Sequence, residues 1–139
     1  MKFPDNFYEY LESHTMIQIK GGKERLSFLP IWMVQVNGRV FARSWNKSEK
    51  SWFTEIERSG VGEIKFGEEL LKITGIKVDP SDPIQPDISN AYLQKYDQPH
   101  NKMYASGIAA SEYFEHTMEF FPENLLNSTS IVKDLKTAE

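Results

Sequence analysis

The dipeptide Asn37-Gly38, set between Leu29 to Val36 on one side and Arg39 to Trp45 on the other, limits the folds open to this chain more than any other feature. Asn-Gly between two apolar runs is a strong hairpin signal, because both central residues of a type I′ turn need positive φ. Such a turn sets Val36 opposite Arg39, Val34 opposite Phe41 and Trp32 opposite Arg43 on one face. Ile31, Met33, Gln35, Val40, Ala42 and Ser44 then occupy the other. Both faces are largely apolar, whereas a sheet wetted on one side alternates apolar with polar residues. The ribbon is therefore predicted to be covered on both sides, as in a small barrel with elements packed outside it.

The remaining elements can be placed around that hairpin. Phe7, Tyr8 and Leu11 recur at helical spacing after Pro4-Asp5, and Met16 to Lys20 alternates as a strand ended by Gly21-Gly22. Ser51 is placed to cap a short helix carrying Trp52, Phe53 and Ile56. Glu63–Phe66 and Leu70–Ile73 read as a second hairpin around Gly67. The apolar phase then slips between Ile73 and Ile76, which predicts a bulge at Thr74-Gly75. After the proline-rich stretch Asp79 to Pro86, a helix is expected with Ile88, Ala91, Tyr92, Lys95 and Tyr96 on one side. His116 to Phe121 forms the last strand, before Pro122. The sum is an α+β chain, mainly β, with six antiparallel strands in a barrel and flanking helices. Its 139 residues suit one domain over 1–122, followed by a polar tail over 123–139 that is partly frayed.

Charge and composition narrow the function. A net charge of -4 gives no global attraction to nucleic acid, so any anion site must be a local cluster of cations and no nucleic-acid partner is expected. With no cysteine, thiolate nucleophiles and cysteine-bound metals are excluded. His14, His100 and His116 are too scattered to predict a metal site. No phosphate-binding P-loop, nucleophile elbow or dinucleotide fingerprint is present. Without a signal peptide or an apolar run near 18 residues, the chain reads as soluble and cytoplasmic, with no membrane association.

The candidate site is a pair of loops adjoining the hairpin, Gly21 to Arg25 and Arg43 to Trp52. They bring Lys23, Arg25, Arg43, Ser44, Lys47 and Ser51 together with Trp45 and Trp52. Guanidinium and hydroxyl donors suit a phosphate, and an indole stacks on a flat ring. The plainer reading makes these residues solvated loop positions and small core anchors. Under it, Arg43 lies over an indole or pairs with Glu55 or Glu57.

The series Ile19-Lys20-Gly21-Gly22-Lys23, Pro30-Ile31-Trp32, Asn37-Gly38, Arg43-Ser44, Trp52-Phe53, Gly60, Ala91-Tyr92 and Lys95-Tyr96 resembles an uncharacterised bacterial domain family grouped with the flavin-binding split β-barrels. It is more distantly similar to the deazaflavin-dependent nitroreductases. The resemblance implies a six-stranded split barrel, a homodimer, and FMN or a deazaflavin held at the barrel's edge. By position, it assigns cofactor contacts to Gly22, Lys23, Arg25, Arg43, Ser44, Lys47, Trp52 and Phe53. It leaves the catalytic residues and the substrate unassigned. The implied chemistry is hydride transfer by the cofactor, with the protein supplying position and electrostatics. The competing expectation is a non-catalytic barrel that has lost the cofactor and binds another small ligand or a protein partner.

Overall fold

A computed structural model of the chain describes residues 2–45 and 51–123. Among these described residues, seven strands form one antiparallel sheet: β1 (Ile17–Gly21), β2 (Leu29–Ile31), β3 (Val34–Val36), β4 (Arg39–Arg43), β5 (Val61–Phe66), β6 (Glu69–Lys77) and β7 (Thr117–Pro122). Their spatial order is β2-β1-β5-β6-β7-β4-β3. The last of these seven in sequence, β7, therefore lies between β6 and β4 and joins two otherwise separate groups of strands.

The Asn37-Gly38 turn forms as its chemistry requires, with φ of 51° and 87°, and the register Val36↔Arg39 and Val34↔Phe41 is the predicted one. The expected pairing of Trp32 with Arg43 does not form. Instead the first arm divides at Trp32-Met33. Leu29–Ile31 pairs with β1 at one edge of the sheet, and Val34–Val36 pairs with β4 at the other. This division accounts for seven strands where six were expected. It also sets the curvature, because three peptide steps from Ile31 to Val34 span at most about 11 Å. The two edges must approach within that distance, so the sheet curls into a half-barrel.

Both faces of the curled sheet are covered. On one face, Val40 and Ala42 of β4 join a core that includes Phe7 and Leu11 of α1 (Asp5–Ser13) and Trp52, Phe53 and Ile56 of α2 (Trp52–Ser59). On the other, Phe41 packs with Ile88 and Tyr92 of α3 (Gln85–Lys95), Tyr96, and Ala105 and Ile108 of α4 (Lys102–Ile108). A 3-10 turn over Ser111–His116 leads into β7. As predicted, Ser51 caps α2, its Oγ accepting the Thr54 N–H at 3.2 Å. Gly60 ends the helix at φ 80°, donating its N–H to the Ile56 carbonyl.

No register slip occurs at Thr74-Gly75, contrary to expectation. β6 pairs in unbroken register with β5 and with β7, and the phase change is resolved by leaving Ile76 61% exposed. Gly75 takes the core-facing position instead. A Cβ there would stand 2.5 Å from Ile56 Cγ2, so the missing side chain lets α2 lie directly on β6.

Candidate functional site

Where β4 ends, Arg43, Ser44 and Trp45 meet the β2 edge and the start of α2 around a cavity of about 510 Å3. That volume falls within the range of small-molecule sites. Three indoles line it, those of Trp32, Trp45 and Trp52, with Arg25, Ser51 and the aliphatic side chains of Leu29, Ile31 and Ile108. Each indole is braced from within the protein. Trp32 stacks on Tyr96 at 3.9 Å and 8°, Trp45 meets Tyr113 edge-on at 5.2 Å, and Trp52 lies 5.9 Å from Phe120. Met16, Leu29 and Trp45 remain roughly half exposed at the rim.

Helix α3 and the residue after it fix the wall formed by Trp32. Tyr92 Oη accepts the Arg43 N–H at 2.8 Å and donates to the Trp32 carbonyl at 3.4 Å. Tyr96 Oη donates to the Thr15 carbonyl at 2.6 Å and accepts the Met33 N–H at 3.1 Å. Lys95 Nζ donates to the Met33 carbonyl at 2.7 Å. Burial raises the pKa of both phenols, which keeps them as neutral donors. The two-residue link between the sheet edges is thus held by three polar side chains from Tyr92 to Tyr96.

Arg43 is the most constrained side chain of the site. It is only 2% exposed, and its guanidinium directs all five N–H donors into the protein. Nε donates to Thr117 Oγ1 at 3.1 Å; Nη1 donates to Ser89 Oγ at 2.8 Å and the Ile108 carbonyl at 3.0 Å. Nη2 donates to the Gln85 carbonyl at 3.1 Å and to Gln85 Oε1 at 2.8 Å. The guanidinium also lies 4.9 Å from the Phe114 ring centroid. Neither Glu55 nor Glu57 is its partner: Glu55 pairs with Arg58 at 3.1 Å, and Arg43 forms no ion pair among the described residues. Desolvation lowers its pKa to about 10, so it stays charged at neutral pH. Arg43 therefore contributes a buried positive charge beside the cavity, while its donors hold β4, α3, α4 and β7 together.

Of the residues singled out in the sequence, Arg25, Arg43, Ser44, Trp45, Ser51 and Trp52 share this cavity. Gly22 and Lys23 line a different one, of about 440 Å3, with Gly62, Glu63, Lys72 and Glu123. Phe53 is in the core, 5.8 Å from both Trp52 and His116. Lys47 lies outside the described residues, as does the tail from residue 124 onward. Sequence reasoning missed Gln85, Ser89 and Thr117, the acceptors around Arg43. A signal existed for two of them: Gln85 and Ser89 are four apart and continue the helical stripe of Tyr92 and Tyr96. Among the described residues there is no cluster of three or more metal-ligating side chains, and no helix is long and apolar enough to cross a membrane.

A search of the curated proteins finds no match. Residues 13–120, most of the chain and nearly all of the curled sheet, match the family described as "Uncharacterized protein conserved in bacteria (DUF2255)". The chain that folds into this half-barrel, with its indole-lined cavity and caged arginine, belongs to that bacterial family.

Proposed function

We propose that the cavity between the β2 edge and the end of β4 binds a flat, heteroaromatic small molecule bearing an acidic group. FMN or a deazaflavin is the ligand class suggested by the sequence resemblance. The observation that carries the reading is the convergence of Trp32, Trp45 and Trp52 with Arg25 on one cavity of about 510 Å3. Such a ligand would supply hydride-transfer chemistry; the protein's part is to stack the ring, exclude water and offer positive charge. Because the donors of Arg43 are occupied, its charge acts on the ligand through the field, and Arg25 adds a second cation to the described lining. The proposed working form is a homodimer, as the same resemblance implies, and light scattering of the purified protein tests it.

A second reading has its own support. An arginine whose five donors are already used favours a ligand without a phosphate, held in the aromatic cavity by a barrel that performs no reaction. Titration with FMN, a deazaflavin and uncharged riboflavin, followed by tryptophan quenching and visible absorption, separates the two. Preferential binding of the acidic ligands supports the first reading; equal binding of riboflavin supports the second. Absence of any bound chromophore, together with no affinity tighter than about 1 mM for any of the three, rejects the flavin-type assignment.

A further inference from the structure

We propose that Lys95 is a site of covalent acylation, its Nζ taking a small acyl group from an activated donor, either an acyl phosphate or an acyl thioester. The inference stands apart from the ligand of the indole cavity. Lys95 closes the last turn of α3 and lines a separate cavity of about 370 Å3 with Glu12, Val34, Gln35, Ala91 and Gln94. Its Nζ donates to the Met33 carbonyl at 2.7 Å and lies 5.3 Å from the Tyr96 ring centroid. Among the described residues it makes no ion pair. Among the described residues, the acid in the lining is Glu12 of α1, which accepts the Gln35 amide at 3.1 Å. From β3 the cavity receives only Val34 and Gln35, which are uncharged, and from α3 Ala91 and Gln94.

An amine in this setting is a nucleophile near neutral pH. Burial lowers its pKa to about 8, against a smaller opposing pull from Glu12. At pH 8 about half of it is neutral, compared with about 0.3% for an ordinary lysine. The lower basicity takes back roughly a factor of ten in intrinsic nucleophilicity, by the trade-off that governs thiolates. The net advantage is on the order of tenfold. In the reaction, the Nζ lone pair attacks the acyl carbonyl and a C–N bond forms. The C–O or C–S bond breaks, phosphate or thiolate leaves with its electron pair, and the surplus N–H proton passes to solvent. The amide product keeps one N–H for the Met33 carbonyl and removes a charge from a poorly hydrated position, so the fold accommodates it.

The test is peptide mapping by mass spectrometry after brief exposure of the folded protein to acetyl phosphate, and separately to acetyl-coenzyme A, at pH 7, 8 and 9. At pH 8, Lys95 is expected to be acetylated roughly tenfold faster than the exposed Lys2, Lys72 and Lys77 with at least one donor. Preference for one donor identifies the source. The advantage should vanish in urea-unfolded protein, which shows that the fold and not the local sequence creates it. Lys95→Arg should remove the fast site and leave the others unchanged. Acetylation of Lys95 no faster than Lys77 with both donors, or an advantage that persists in urea, overturns the proposal.

Discussion

Replacing Arg43 measures how the charge and the planar fork each contribute to the fold. Arg43→Met keeps much of the apolar stem and removes five hydrogen bonds from a charged donor. Each such bond contributes about 1.5–3 kcal/mol, so the gross loss is about 8–15 kcal/mol. Against it stands the penalty of several kcal/mol for burying a guanidinium, which the variant no longer bears. Some acceptors also keep other roles. Ser89 Oγ still donates to Ala109 O and Thr117 Oγ1 to Tyr113 O, whereas the Ile108 carbonyl has no other partner among the described residues. The expected net loss is about 3–4 kcal/mol, a large share of the stability of an ordinary domain, and a fall in Tm of about 10–15 °C. Arg43→Lys should do no better than methionine. An ammonium presents its donors from one atom and cannot reach Thr117, Ser89, Ile108 and both Gln85 oxygens, yet it keeps a buried charge. Urea unfolding followed by circular dichroism and tryptophan fluorescence gives both values. A lysine variant within about 1 kcal/mol of the parent, or a methionine variant more stable than it, would refute the view that the fork organises these four segments.

Two other outcomes follow from local geometry. Gly75→Ala places a Cβ 2.5 Å from Ile56 Cγ2 and 3.2 Å from Met118 Sδ, so it should destabilise the protein by about 1–3 kcal/mol in the same unfolding assay. An unchanged midpoint would mean that α2 can lift off β6 freely. Lys95 binds its proton less readily in the folded chain, its pKa there being about 8 against an ordinary 10.5. The unfolded chain therefore holds more protons between those values, and this group's contribution to stability rises with pH from about 8. The gain reaches about 2–3 kcal/mol before Tyr92 and Tyr96 oppose it above about pH 10, since burial raises their pKa. Unfolding free energies at pH 7 to 10, compared between the parent and Lys95→Met, should differ in slope; parallel curves would refute the assignment.

The parts of this fold that could be read in the sequence are those whose chemistry is local. Asn37-Gly38 needs positive φ and specifies its own turn, and Ser51 with Gly60 brackets α2 from within a single stretch. The split of Leu29–Val36 into two edge strands was hidden because it depends on β1, whose Ile17–Ile19 claims Leu29–Ile31. The slip at Ile76 looked like a bulge because periodicity alone does not say that an isoleucine is left outside while a glycine faces the core. For the site, Arg43 stood out as a cation in an apolar ribbon, yet its partners come from 42 to 74 residues further along. Spacing along a strand carries no information at that range. Arg25 and Trp52 line the indole cavity because each adjoins the hairpin, while Gly22 and Lys23 turn toward another depression.

The position of β7 has a bearing on how the chain acquires this shape during synthesis. Until Thr117–Pro122 has been made, a nascent chain can form only two detached groups of strands, β2-β1-β5-β6 and β4-β3, each with an open flank. The same late segment brings Thr117 to Arg43, so the cage around the guanidinium closes at the moment when the groups unite. Completion of the sheet thereby waits for residues 117–122, and a chain stopped short of residue 117 leaves an unpaired flank on β6 and on β4.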